Sequence, residues 1–268
     1  MIHTSFLIIR ERLDELYRLY NRREFVYPDP LQFLYGYSEL HDREVIGFIA
    51  SSLAYGRVNQ ILKSVSTVLE RMNHSPFSFL ENASLKQLRD TFSDFKHRFT
   101  TGDELASMLW GAKLMIEQYG SLYECFLADL KDDQDTVLPA LSAFVKKLIG
   151  VIPVDQNSLL ASPDKGSACK RLNLFLRWMV RQDCVDPGGW SKVPLSKLII
   201  PLDTHMHKIC LLLNFTRRKQ ADMRTAMDIT HAFRKMVPED PVRYDFALTR
   251  LGIRNDTDMD AFFQDFGF

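Results

Sequence analysis

The chain has 268 residues, 46% of them hydrophobic and 25% charged, and its 34 Lys and Arg balance 34 Asp and Glu. Those numbers describe a globular protein of one large or two small domains. The balance of charge excludes a global field that draws in nucleic acid or membrane, so any anion binding must come from local clusters. Cys125, Cys169, Cys184 and Cys210 stand too far apart for a zinc knuckle or an iron–sulfur run. They are expected to be unlinked thiols in a reduced, cytoplasmic protein. The N-terminus is apolar only from Phe6 to Ile9 and is expected to be neither a signal peptide nor an anchor. No stretch reaches the ~20 apolar residues of a membrane span.

The pattern along the chain is helical. Leu13, Leu16, Tyr17 and Tyr20 recur at i, i+3, i+4 and i+7, and Val45, Phe48, Ile49 and Ser52 repeat that spacing. His41-Asp42 is expected to cap a helix from Arg43. Asp103 is expected to cap a helix that ends at Gly120. Further helices fit residues 136–150, 169–183, 203–215, 221–236 and 240–252, and alternating strand patterns are scarce. Two stretches read as shaped loops: the aromatic, proline-broken Phe25–Tyr37, and Asp183–Lys197 with its turn Asp186-Pro187-Gly188-Gly189. The acidic tail from Asn255 is expected at the surface, with its closing aromatic run packed back onto the body.

Between two apolar runs lies a polar island, Asp203-Thr204-His205, followed by the stripe Met206, Ile209, Cys210 and Leu213. An aspartate at that place caps the helix by accepting a bond from a first-turn N–H. The same position keeps a carboxylate rigid and ionised, which suits a group that stabilises a developing cation. Lys170 opens the segment whose buried stripe is Leu172, Phe175, Leu176 and Met179. Lys170, Arg177 and Arg181 share another face, either as a solvated basic surface or as a nucleophilic amine with two phosphate-holding guanidiniums. Apolar surroundings and the neighbouring Arg171 both favour the neutral form that such an amine needs. In "SSLAYGRVNQ", Tyr55 can stack on a base, Gly56 lets a ligand approach the backbone, and Arg57 can reach a phosphate or an orphan base. A packed Tyr-Gly helix end is the plainer reading of that pair. Trp178 reads as core, and Trp190, beside Gly188-Gly189, as the aromatic with an exposed role.

"SPDKGSACKRLNLFL" followed by "IIPLDTHMHKICLLLNF" resembles the hairpin, helix and Asp-bearing segment of helix-hairpin-helix DNA glycosylases. In that family a proline/glycine hairpin grips the DNA backbone, a lysine attacks the sugar, and an aspartate follows in a Pro-x-Asp-x-His context. "HDREVIGFIASSLAYGRVNQILKSVSTVLERM" is similar to the early helix and lesion-facing loop. "PEDPVRYDFALTRLGI" resembles the closing helix of the archaeal 8-oxoguanine glycosylase branch. Over the whole chain the resemblance is to an uncharacterised bacterial family of conserved hypothetical proteins, carried by "FLRWMVR", "PLDTH" and "PEDPVRYDFAL". The departures are Pro163-Asp164-Lys165-Gly166 in place of a Gly-rich hairpin, no iron–sulfur cysteines, and the 183–197 insert. The family lysine aligns with Lys170, Arg171 or Ala168, according to where a gap is placed.

The resemblance implies an all-α fold of two helical lobes around a cleft. Residues 1–42 with 200–268 would form one lobe, and 43–199 the other, with a degenerate helix-hairpin-helix at 160–181. It implies a glycosylase with abasic-site lyase activity on damaged, oxidised bases. Lys170 and Asp203 would be catalytic, and Gly166, Arg171, Arg177, Arg181 and His205 would contact DNA with Tyr55, Gly56, Arg57 and Trp190. No metal, cofactor or membrane is expected, the partner is damaged double-stranded DNA, and the chain acts as a monomer. A non-catalytic nucleic-acid- or protein-binding module on the same scaffold is the alternative. A helical metal phosphohydrolase is a third reading, but His205 and His207 sit at i, i+2 and point about 200° apart on one helix.

Overall fold

A computed structural model describes residues 2–154 and 156–253, so the acidic tail lies outside the described residues. The architecture is helical: α1 (Ile2–Tyr20), α2 (Leu40–Ser52), α3 (Val58–Arg71), α4 (Pro76–Asn82) and α5 (Leu85–Thr91) come first. A two-residue-per-strand hairpin, β1 (Lys96–His97) and β2 (Thr100–Thr101), precedes α6 (Gly102–Tyr119), α7 (Leu122–Leu127) and α8 (Leu138–Val151). α9 (Lys170–Val180), α10 (Thr204–Leu212), α11 (Met223–Met236) and α12 (Asp245–Ile253) follow among the described residues. The buried apolar residues form one cluster that draws on elements from α1 to α12.

The periodic segments fold as their spacing requires, but several ends differ. Thr101, not Asp103, caps α6, because Thr101 and Glu104 form a reciprocal capping box; Gly120 closes that helix in the left-handed region at φ 90°. α2 starts at Leu40 with Glu39 before it, so His41 and Asp42 lie inside its first turn. Asp42 accepts instead from the Phe77 N–H at the start of α4. The 25–37 stretch is less open than its prolines suggest. Asp29 caps a 3-10 turn over Pro30–Gly36 that buries Leu31 and Leu34. The hairpin and the short helices α4, α5 and α7 are too brief for periodicity to reveal.

α9 runs through the middle of the molecule and is buried from Leu172 to Val180. It packs most extensively on α2, where Gly47 admits it: a Cβ there would lie 3.2 Å from Met179 Sδ and 3.3 Å from the Phe175 ring. Its last carbonyls are satisfied by the 183–197 loop, since Gly188 N–H donates to Trp178 O (3.1 Å) and Trp190 N–H to Met179 O (2.7 Å). Gly188 and Gly189 have φ values of 67° and 135°, and a side chain at Gly189 would strike Leu40 Cδ1 at 2.4 Å. The turn that sequence places in a shaped loop therefore folds inward.

That return places Trp190 in the core with no exposed surface, stacked on Tyr123 (5.2 Å between centroids) and edge-on to Phe175. The expectation of an exposed aromatic at Trp190 is corrected: its indole N–H donates to Glu44 Oε1 (3.0 Å). The Leu122 amide donates to Glu44 Oε2 (3.1 Å).

The face of α9 that carries Arg177 and Arg181 is not solvated either. Arg177 donates to Asp186 (3.0 Å) and to Asp245, and Arg181 donates to Asp183 (2.8 Å), Asp186 (2.6 Å) and both oxygens of Asp240 (3.0 and 3.2 Å). Both guanidiniums are thereby bound within the protein, which corrects the expectation that they hold phosphates. Asp183 and Asp186 come from the loop just after α9, and Asp240 and Asp245 from 59 and 68 residues away, so helical spacing alone could not show them.

Replacing Arg181 by Met strands Asp183, Asp186 and Asp240 together, and is expected to cost about 3–5 kcal/mol, read as a lower urea midpoint at unchanged slope. Glu44 supplies a pH test, because burial pushes its carboxyl from 4.5 up to about 7. The folded state then holds that proton more tightly than the unfolded chain, so stability from Glu44 is complete below 4.5 and lost as pH rises through about 7. Urea titrations at stepped pH are expected to show wild type losing roughly 3 kcal/mol relative to Glu44→Gln across that window.

Candidate functional site

A cleft of about 680 Å³ is walled by the α2–α3 loop, the hairpin tip, the start of α9, the Pro201–His205 stretch and α12. It gathers Tyr55, Gly56, Lys170, Arg171, Arg177, Asp203 and His205 from segments that are distant in sequence. Lys170 and Asp203 thus line one space.

Asp203 owes its place to the helix it caps. Its Oδ1 accepts from the Met206 N–H at 2.9 Å, as expected of a carboxylate before an apolar stripe. Its backbone carbonyl accepts from the His207 N–H. His205 is exposed at the mouth, whereas His207 is buried and its Nε2 bonds to the Arg218 carbonyl at 2.8 Å. The two imidazoles serve different surroundings, and among the described residues no group of three His, Cys, Asp or Glu is placed to hold a metal.

Lys170 is the first residue of α9, preceded by Cys169 in the left-handed region at φ 48°. Its amine donates to the Ala54 carbonyl (3.2 Å), and Arg171 donates to Ser52 O (3.0 Å) and Ser158 O (2.5 Å). Both cations therefore use the unpaired carbonyls around the end of α2 to hold themselves against the cleft. The 3-10 turn Pro163–Lys165 before them closes on itself: Lys165 N–H donates to Ser162 O and Gly166 N–H to Pro163 O. Gly166 lies exposed at φ 79° beside a separate recess of about 310 Å³. Its amide, expected to face a phosphate, is thus already bonded, a correction that follows from the missing Gly-rich hairpin.

The back wall carries carboxylates. Asp245, only 3% exposed, accepts from Arg177, and burial pushes its carboxyl from 3.8 up to about 6 despite that guanidinium, with Asp203 adding like charge. Arg250 donates to Asp29. With Arg177 and Arg250 held by carboxylates in this way, Lys170, Arg171 and Arg98 are the cations whose polar contacts are to neutral groups or aromatic faces.

Tyr55 is half-buried rather than free to stack. Its hydroxyl donates to the His97 carbonyl (2.9 Å) and bonds to Thr100 Oγ1 (2.6 Å), and the Phe99 ring covers one face at 5.0 Å. Gly56, at φ 99°, leaves room for the Arg98 side chain, whose Cδ a Cβ there would approach to 2.8 Å. Arg57 is exposed at the N-cap of α3 and does not line the cleft. Sequence reasoning missed Arg98, Phe99 and Asp245. The basic-aromatic run "KHRF" before a helix cap was a visible signal for the first two, and Asp245 lay unweighed inside "PEDPVRYDFAL".

The family is defined by a match over most of the chain. Residues 29–254 fit the model of DUF2400, a protein family of unknown function, and the chain belongs to it. No curated protein and no solved structure gives a match.

Asp203→Ala is expected to lower stability by about 1 kcal/mol through loss of the cap, while Asp203→Asn stays within a few tenths, because both acid and amide accept the Met206 bond. Thermal denaturation of the two variants separates the cap from the charge.

Proposed function

We propose that this protein is a helix-hairpin-helix-like DNA glycosylase with abasic-site lyase activity, acting on damaged, including oxidised, bases. The observation that carries the reading is that the Lys170 amine and the Asp203 carboxylate, drawn from separate helices, line one cleft whose volume suits a small ligand. In this reading the first 42 residues with those after 199 form one lobe, the intervening segment forms the other, and the chain works as a cytoplasmic monomer. The spare positive charge of Arg98, Lys170 and Arg171 gives the cleft a local attraction for phosphate that the neutral chain lacks as a whole.

A damaged base leaves the duplex at an unstacking cost of a few kcal/mol and enters the cleft. Lys170 loses its ammonium proton to solvent, and the Asp203 carboxylate, still ionised, stabilises cationic character on the sugar. The free amine attacks C1′; the new C–N bond forms as the glycosidic bond breaks, and the departing base keeps the bonding electrons and is protonated by solvent. After loss of a proton from the attached nitrogen, the ring opens with its electron pair going to O4′, leaving a Schiff base. Loss of a C2′ proton then expels the 3′ phosphate and cuts the strand.

A second reading, a nucleic-acid-binding module without turnover, draws on the Lys170–Ala54 bond, which must be given up before the amine can attack. Borohydride trapping separates the two. Wild type is expected to form a covalent adduct on abasic or 8-oxoguanine duplexes, Lys170→Gln none, and Asp203→Asn to trap roughly 10²-fold more slowly or worse. Absence of a wild-type adduct, where a known bifunctional glycosylase traps, overturns the lyase. Salt-dependent DNA binding that survives the Lys170, Asp203 double substitution without turnover then establishes the second reading.

A further inference from the structure

We propose that the tip of the β1–β2 hairpin, Phe99 with Arg98, is a stacking platform for an unpaired base of a DNA strand entering the cleft. The inference rests on the reading of the cleft as a nucleic-acid site, and it names the side chains that meet the strand first.

Phe99 is 62% exposed, and of the large apolar side chains exposed to that extent among the described residues it alone lines the cleft. Its position is built rather than incidental. One face of the ring lies on Tyr55 at 5.0 Å and 26°. Tyr55 is itself fixed through its hydroxyl to both strands, at His97 and Thr100. His97 is fully buried, its Nε2 bonded to the Tyr55 carbonyl (3.1 Å) and its Nδ1 to Ser64 Oγ (2.8 Å), so strand, ring and helix α3 form one rigid support. A Phe held this way has spent its conformational freedom on folding and meets a ligand preorganised.

Arg98 stands beside it at φ 54°, a conformation unusual for a residue with a Cβ, with its stem laid over Gly56. Its guanidinium carbon is 5.9 Å from the Tyr55 ring centre, and that of Arg171 is 5.1 Å away. An exposed ring stacked on a Tyr55 that two cations approach is what a nucleotide strand requires: stacking for the base, which any base satisfies, and positive charge nearby for its phosphates. A lipid surface would instead call for several exposed apolar residues together, and a single ring among cations does not supply them.

The test uses the full chain with a fluorescein-labelled single strand and with a duplex carrying 2-aminopurine opposite a mismatch. Wild type is expected to bind both and to quench the 2-aminopurine. Phe99→Ala is expected to weaken binding roughly 5- to 100-fold and abolish the quench. Phe99→Trp should retain both, and Phe99→Leu should keep the apolar bulk but lose the quench. Equal affinity and quenching in wild type and Phe99→Ala overturn the platform, and leave the lyase intact if borohydride still traps wild type. Phe99-dependent binding without trapping supports the platform while the lyase falls. No binding by wild type to either DNA overturns both.

Discussion

Two guanidiniums surrounded by four carboxyls hold this molecule together. Arg177 and Arg181 on α9 are 3% and 4% exposed, and their partners Asp183, Asp186, Asp240 and Asp245 arrive from the following loop and from the approach to α12. Charges this deep are tolerable only when nearly every polar atom is met. Burial, helped by the neighbouring carboxylates, raises the carboxyls of Asp186 and Asp245 above their ordinary range despite the arginines beside them. The network does not need to add stability over an apolar core. It joins the loop after α9 and the approach to α12 to that one helix.

The cleft inherits its character from that arrangement. Arg177 and Asp245 neutralise one another at its back, and Arg250 is held by Asp29 at its side. Charge left for a ligand therefore lies at Lys170 and Arg171, where α9 begins, and at Arg98, in the cleft that the helix-capping Asp203 also lines. One helix thus does two jobs: its C-terminal half is neutralised within the core, and its first turn presents cations to the cleft.

Glycines set the close approaches that make this possible. Gly47 lets α2 lie against α9, Gly188 and Gly189 turn the following loop back over its end, and Gly56 seats Arg98 at the cleft wall. The aromatic that the inward turn carries, Trp190, becomes core, and the aromatic that the hairpin carries, Phe99, remains exposed. Turn residues and aromatics look alike in both segments. What separates them is where the chain carries each ring: the 183–197 loop turns Trp190 in to Glu44, while the hairpin tip holds Phe99 at the cleft on Tyr55.

The sequence by itself determined the helices with strong 3.6-residue periodicity, the cap at Asp203, the helix start at Lys170 and the Gly120 stop, because each depends on residues within a turn or two of one another. It also picked out Tyr55, Gly56, Lys170, Arg171 and Asp203, which one cleft brings together. Only the tertiary structure decided that Arg177 and Arg181 are spoken for, that Trp190 is buried and that Phe99 is an exposed ring at the cleft. The guanidiniums and the indole are decided by partners tens of residues away, as Arg181 is by Asp240 and Trp190 by Glu44. Local pattern shows what a side chain can do; a distant contact decides whether it is still free to do it.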